Sequence, residues 1–246
     1  MPDAIFDNPR LAAVYDPLDP DRSDLDEYTR VLIDEQGADS VLDIGCGTGT
    51  FALLLLAARG VHVIGVDPAA ASIAVAQWKP GSEAVTWIVG TVDDLPALEV
   101  DAVTMTANVA QVFLDDEEWR STLEAAYAAL RPGGTLVFES RRPEVRAWEG
   151  STKAATHRTV PVQGVGEVEE WVQVTHVDGE LVTFESPTIF HSDGERIEST
   201  STLRFRTRGR IEATLVAAGF DVTDVCDLAY APGRSWLYIA RRPTSR

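Results

Sequence analysis

The chain has 246 residues, 45% hydrophobic and 24% charged, which suits a globular enzyme built as one large domain, or as one domain with an insert. A formal charge of -18 and a pI near 4.5 create a mean field that repels phosphate backbones and anionic lipid, arguing against a nucleic-acid partner and a membrane surface. Two cysteines, Cys46 and Cys226, allow neither a disulfide framework nor a metal site and suit a reducing cytoplasm. Residues 1–10 do not read as a signal peptide, and the longest apolar run, 51–58, is too short to span a bilayer.

Residues 1–22, rich in Pro and Asp, are expected to be irregular. Residues 25–36 carry a helical period through Leu25, Tyr28 and Leu32, ended by Gly37. Alternation follows: strand 40–44, helix 50–59, strand 62–66, helix 69–77, strands 85–89 and 102–106, helix 116–130, a turn at 131–134 and strand 135–139. This order predicts an α/β fold with a parallel sheet and helices on both faces. From about 168 to 206 the period changes to two, with hairpin signals at Asp178-Gly179 and Asp193-Gly194, so a three-stranded antiparallel meander over 168–177, 180–191 and 195–206 is expected. Helix 209–218 and strands 220–227 and 236–240 complete the pattern. The basic run Arg204, Arg206, Arg208 and Arg210 reads as a solvated face or helix entry.

The most informative stretch is Asp43-Ile-Gly-Cys-Gly-Thr-Gly49, between a predicted strand and a predicted helix. Gly45, Gly47 and Gly49 allow a tight turn and a close approach of backbone to ligand. Their spacing, G-x-G-x-G, departs from the G-x-G-x-x-G of dinucleotide folds, and Asp43 would repel a pyrophosphate while suiting a ligand with an ammonium group. Asp67 ends the second strand, where a carboxylate can accept ribose hydroxyls; a helix N-cap beside Pro68 is its plainer role. Cys46 reads as a small residue tolerated in the loop.

Together with Gly65-Val-Asp67, Gly90-Thr-Val-Asp-Asp-Leu-Pro96 and Leu130-Arg-Pro-Gly-Gly-Thr-Leu-Val-Phe-Glu139, the motif resembles the class I S-adenosylmethionine-dependent methyltransferases, over about 41–139 with a matching tail after Gly219. The resemblance implies a doubly wound, Rossmann-like seven-stranded sheet, mostly parallel with an antiparallel last strand, interrupted by the β-meander after strand five. It divides the chain into an N-terminal lid and helix (1–36), a cofactor-binding core (37–150), the β insert (151–207) and a segment completing the sheet (208–246). It implies S-adenosylmethionine as cofactor, leaving as S-adenosylhomocysteine, with the Gly45–Gly49 backbone cradling the methionine part, Asp43 near its amino group and Asp67 on the ribose. Thr91 stands where relatives often carry Asp, so Asp93 or Val92 is the candidate for the adenine. Cys46 within the loop, Pro68 after Asp67, Tyr15 in a Val14-Tyr-Asp16 segment resembling a lid, and Asn108 beyond strand four complete the expected cofactor site.

The implied activity is methyl transfer to a small-molecule acceptor, since the loop after strand four lacks the Asn-Pro-Pro-Tyr type motif of nucleic-acid enzymes. A nicotinamide-dependent oxidoreductase and a non-catalytic binding protein are the alternatives. Acceptor candidates are Gln111, Glu139, Arg141 (with Arg142 as an alternative grip on a carboxylate) and Trp148. No general base is evident: His157, His176 and His191 fall in or near the insert, and neither His176 nor His191 has an obvious carboxylate partner. The insert is expected to roof the pocket or to build a homodimer interface.

Overall fold

A computed structural model describes residues 2–244. In chain order the elements are α1 (Ala4–Asp7), α2 (Pro9–Leu18), α3 (Asp26–Thr29), β1 (Ser40–Ile44), α4 (Thr50–Arg59), β2 (His62–Asp67), α5 (Ala70–Trp78), β3 (Thr86–Val89), β4 (Val100–Met105), α6 (Asp116–Ala129), β5 (Leu130–Arg141), α7 (Lys153–Thr156), β6 (Arg158–Val162), β7 (Gly166–Glu170), β8 (Gln173–Asp178), β9 (Leu181–Glu185), β10 (Thr188–Phe190), β11 (Glu195–Ile197), β12 (Thr200–Arg204), α8 (Arg208–Ala217), β13 (Asp221–Asp227) and β14 (Ser235–Arg241). No helix among the described residues is long and apolar enough to cross a membrane.

The main sheet has the order β13-β14-β5-β4-β1-β2-β3. β1 to β5 are parallel, and β14 runs antiparallel to both of its neighbours. Alternation along each strand builds two apolar layers. Val41, Val63, Ala102 and Val137 join α4 residues Phe51, Ala52 and Leu55 on one face. Leu42, Ile64, Val103 and Leu136 meet Trp119, Leu123 and Ala126 of α6 on the other. Both faces are covered, which is why the central strands read as near-continuous apolar runs.

Three expectations need correction here. Residues 4–18 are helical: Asn8 caps α2 by accepting from the N–H groups of Arg10 and Leu11, and Pro9 sits at the first helical turn, where its missing donor costs nothing. The 25–36 helix is broken into a 3-10 turn (Ser23–Leu25), α3 and a π-helical turn (Arg30–Glu35), though Leu25, Tyr28 and Leu32 are buried as their spacing demands. The turn at 131–134 is absorbed into β5 as an irregularity opposite Val100 and Ala102, with Gly133 at φ +84°.

The meander exists but is bent. Each expected long strand breaks midway, giving a three-stranded sheet β12-β9-β8 and a four-stranded sheet β11-β10-β7-β6, with β6 an addition the alternation did not reveal. Gly179 (φ +56°) and Gly194 (φ +75°) lie at the two hairpin turns. The break has a packing cause. Val168, Phe190 and Val162 pack against Leu11, Val14 and Leu18 of α2, while Val182 and Phe184 pack against Trp148 and Phe205. Pro187, lacking an N–H, stands between β9 and β10. The N-terminal segment and the insert therefore share one apolar cluster.

The arginine run ends as a helix entry, with Arg208 exposed at the start of α8 beside Glu212, but Arg204 and Arg206 are not a solvated face. Arg206 is 2% exposed, with Nη2 donating to the Asp115 carbonyl (3.0 Å) and burial pulling its pKa down to about 10. Arg204 and Arg210 both pair with Glu180 and Asp116, which ties the end of the insert to the start of α6.

Phe205→Ala should cost about 3–5 kcal/mol within the insert. Hydrogen exchange is expected to show lost protection in β8, β9 and β12 with the seven-stranded sheet unchanged; equal loss in both regions would contradict a separate insert cluster.

Candidate active site at the carboxyl edge of the sheet

The glycine loop leaves β1 and enters α4. Gly45 and Cys46 donate to the Val66 carbonyl (2.8 and 3.2 Å), so the loop is stitched to the end of β2. A Cβ on Gly45 would lie 2.5 Å from Val109 Cγ2, and one on Gly49 would lie 2.9 Å from the Ala76 Cβ and enter the Trp87 ring. A Cβ on Gly47 would meet nothing within 4 Å. Gly45 and Gly49 thus permit packing of the protein on itself, and Gly47, at φ +52°, faces open space.

Two carboxylates flank this loop. Asp67, 9% exposed, accepts from the Gly47 and Ala69 N–H groups (2.8 Å each), so it orders the loop and the turn ahead of α5, whose N-cap is Ala69. Asp43 is fully buried; Oδ1 accepts from the Thr104 hydroxyl (2.9 Å) and Oδ2 has no partner. Burial, opposed by the Thr104 hydrogen bond, pushes Asp43 up to about 7. A cationic ligand would supply the missing partner and restore the ionised form. Pro68 is exposed beside Asp67, and Cys46 is buried, its thiol pushed well above the usual range by burial.

The N-terminal segment closes over the loop through a residue that sequence reading missed. Asp16, on α2, accepts from Thr48 Oγ1 (2.6 Å) and Thr50 Oγ1 (3.1 Å) and pairs with Lys79 Nζ (2.6 Å). Its only sequence signal was its place beside Tyr15. Tyr15 is half-buried against Phe6, with burial raising its hydroxyl. At the far end of α2, Arg10 pairs with Asp193 and Glu195 and covers the Phe190 ring, joining the helix to the insert.

Beyond β4 the backbone is strained: Ala107 and Asn108 hold φ +54° and +65°. The turn delivers the Asn108 N–H to Glu139 Oε1 (3.0 Å). Glu139, 1% exposed, also accepts from the Tyr230 hydroxyl on Oε2, and burial raises its pKa against both hydrogen bonds. Gln111 is fully buried, with Oε1 accepting from the Arg141 N–H (3.4 Å). Tyr28 Oη, Asn108 Oδ1 and Gln111 Nε2 are buried without partners, like Asp43 Oδ2. Buried polar atoms are normally paired, so these four orphans make this end of the sheet the candidate ligand chamber, although Arg142 Nε, Trp148 Nε1, Trp171 Nε1 and two Arg206 nitrogens are also unpaired among the described residues. Tyr28, Thr104 and Tyr230 were not candidates from the sequence; Tyr230 lies in an irregular stretch with no motif.

Trp148 packs on Phe205 (centroids 4.5 Å) inside the insert. Val92 is half-buried against the core, and Asp93 is exposed in a 3-10 turn. His157 and His191 are exposed on the insert, and both hydrogen-bond Glu169 (2.9 and 3.0 Å), so His191 does have a carboxylate partner. His176 is exposed on β8.

Two outcomes follow from this geometry. An acid whose pKa is raised on folding binds its proton more tightly in the folded state, so the ligand-free protein should lose up to about 4 kcal/mol between pH 4 and 7, and Asp43→Asn should flatten that slope in urea titrations. Asp16→Ala should weaken S-adenosylhomocysteine binding about tenfold by calorimetry through loss of the loop clamp.

Comparison with known proteins places this geometry. Residues 41–134 match the family described as a methyltransferase domain. A protein of Geobacillus sp. (strain WCH70), whose methyltransferase assignment is itself provisional, is 36% identical over 108 residues, covering 42% of this chain and 43% of that one. The cypemycin N-terminal methyltransferase of a Streptomyces species is 30% identical over 120 residues, 48% of this chain and 49% of its own. The matched stretch spans less than half the length of these curated relatives. Among solved structures, CalS10, an amino pentose methyltransferase from Micromonospora echinaspora with S-adenosylmethionine bound, is 25% identical with a TM-score of 0.71, covering 93% of this chain and 96% of that one. DesVI of Streptomyces venezuelae has a TM-score of 0.77 at 19% identity over 92% and 97% of the two chains, a likeness of fold. These relatives leave the oxidoreductase alternative without support. Residues 41–134 are similar to the methyltransferase-domain family, and the chain as a whole has the fold of the S-adenosylmethionine-dependent methyltransferases.

Proposed function

We propose that the protein transfers a methyl group from S-adenosylmethionine to a nitrogen or oxygen of a small-molecule acceptor, with Glu139 receiving the acceptor's proton. The observation that carries this reading is the buried Glu139 carboxylate, oriented by Tyr230 and the Asn108 N–H beside four unpaired buried polar atoms. S-adenosylmethionine, when bound, supplies an electrophilic methyl on a sulfonium that leaves without protonation. The protein's part is alignment and proton removal. Asp43 Oδ2 and the open side of Gly47 suit the cofactor's amino-acid end, and Asp67 lies at the second strand's end for the ribose. Val92, Pro68 and Tyr15 line its approach. Each Glu139 oxygen retains a lone pair for the acceptor, and the raised pKa brings its basicity nearer neutrality.

The amino pentose acceptor named for CalS10 and the sugar acceptor named for KedS8 agree with a small polar acceptor here. A tRNA methyltransferase of Schizosaccharomyces pombe also matches, over 46% of this chain, but a net charge of -18 opposes RNA binding. The bent insert, pinned to α2 and α6, is the cover of the acceptor side. Two free thiols support residence in the cytoplasm.

S-adenosylhomocysteine should bind in calorimetry and NADH should not; the reverse would sink the reading. Glu139→Gln is expected to lower kcat about 100- to 1,000-fold in a tritiated-methyl transfer assay while leaving S-adenosylhomocysteine affinity unchanged.

A further inference from the structure

Two arginines follow one another at the end of β5, and the structure separates them. Arg142 is anchored away from Glu139: Nη2 pairs with Asp227 Oδ1 (2.6 Å) and the guanidinium lies 3.3 Å from the Trp236 ring centre, with its buried Nε left unpaired. The Arg141 guanidinium has neither a hydrogen-bond nor an ion-pair partner among the described residues; only its backbone N–H is held, by Gln111 Oε1. Arg141 is two residues from Glu139 on β5, so both side chains leave the same face of the strand. It is half-buried, with Glu139, Tyr230, Tyr15 and the exposed Arg234 acting on it electrostatically. The other cations of the N-terminal roof are taken, Arg22 by Asp24 and Lys79 by Asp16.

Building on the methyltransferase reading, we infer that the acceptor carries a carboxylate, held by the Arg141 guanidinium with Gln111 Nε2 beside it, and presents its nucleophile to Glu139. Both donors are unused, and the Gln111 amide nitrogen is fully enclosed. A planar guanidinium matches a carboxylate with two parallel hydrogen bonds. A dianionic phosphate fits less well, because Asp43 and Glu139 lie in the same chamber and a single free guanidinium opposes them. The sheet order places this anion on the acceptor side. The glycine loop follows β1, and β4 lies between β1 and β5. Two strand spacings, about 10 Å, therefore separate Arg141 from the loop that suits the cofactor's own carboxylate.

The test is calorimetry on protein saturated with S-adenosylhomocysteine, using 3-aminobenzoate and glycine as probes against 3-aminobenzamide and glycinamide. Each carboxylate should bind at least about tenfold more tightly than its amide. Arg141→Gln should erase that preference, Arg141→Lys should restore part of it, and S-adenosylhomocysteine affinity should stay within about twofold in both variants. Equal binding of acid and amide, or binding of neither, overturns the inference. A fall of about tenfold in S-adenosylhomocysteine affinity in Arg141→Gln also overturns it, since Arg141 would then hold the cofactor's carboxylate. Failure of the wild-type protein to bind S-adenosylhomocysteine is a different result, and removes the methyltransferase reading itself.

Discussion

A parallel sheet buried on both faces leaves polar chemistry only at its ends. Along β1, β4 and β5 the apolar layers occupy the strand bodies, and the buried polar side chains Asp43, Thr104, Thr106, Glu139 and Ser140 collect toward the carboxyl termini. Desolvation there is severe, so each carboxylate must be hydrogen-bonded, protonated or matched by a ligand. Asp43 shows the consequence: one oxygen is satisfied by Thr104, and the other waits. The ligand chamber is what remains where the sheet's own packing cannot pair its polar groups.

Closing that chamber falls to parts of the chain far apart in sequence. α2 clamps the glycine loop through Asp16 and reaches the insert through Arg10, while its apolar face shares a cluster with β6, β7 and β10. The opposite end of the insert is pinned to α6 by Arg204, Arg206 and Arg210. The glycine loop, α2 and the insert are therefore mechanically connected. That connection explains why Arg204 and Arg206 are folded inward in an acidic protein: Arg204 and Arg210 pair with Asp116 and Glu180, and Arg206 donates to the Asp115 carbonyl, while Arg208 stays exposed beside Glu212.

The glycine loop and its flanking carboxylates were legible because their geometry is local. Gly45, Gly47 and Gly49 need their conformations within five residues, and Asp43 and Asp67 end the strands that frame them. The acceptor half was partly legible. Glu139, Gln111 and Arg141 are candidates by their places after β4 and β5, but the choice between Arg141 and Arg142 depends on Asp227 and Trp236, more than eighty residues onward. Trp148 was a candidate by type and position, yet Phe205 draws it into the insert. Prolines misled the reading of residues 1–22, because Pro9 begins a helix as readily as it ends one.

By itself the sequence determined the alternation of strands and helices and the glycine loop with its two acidic flanks, and from these came the expectation of a cofactor bearing a cationic amino-acid end. Those features obey rules of period and backbone freedom acting over a few residues. Tertiary structure alone decided that Tyr230 and a strained turn would meet Glu139, that Asp16 would latch the loop, that the meander would bend into two sheets, and that the Arg141 guanidinium would be left without a partner among the described residues. Pairing of a buried charge depends on which distant side chains packing brings beside it, and no local pattern carries that information.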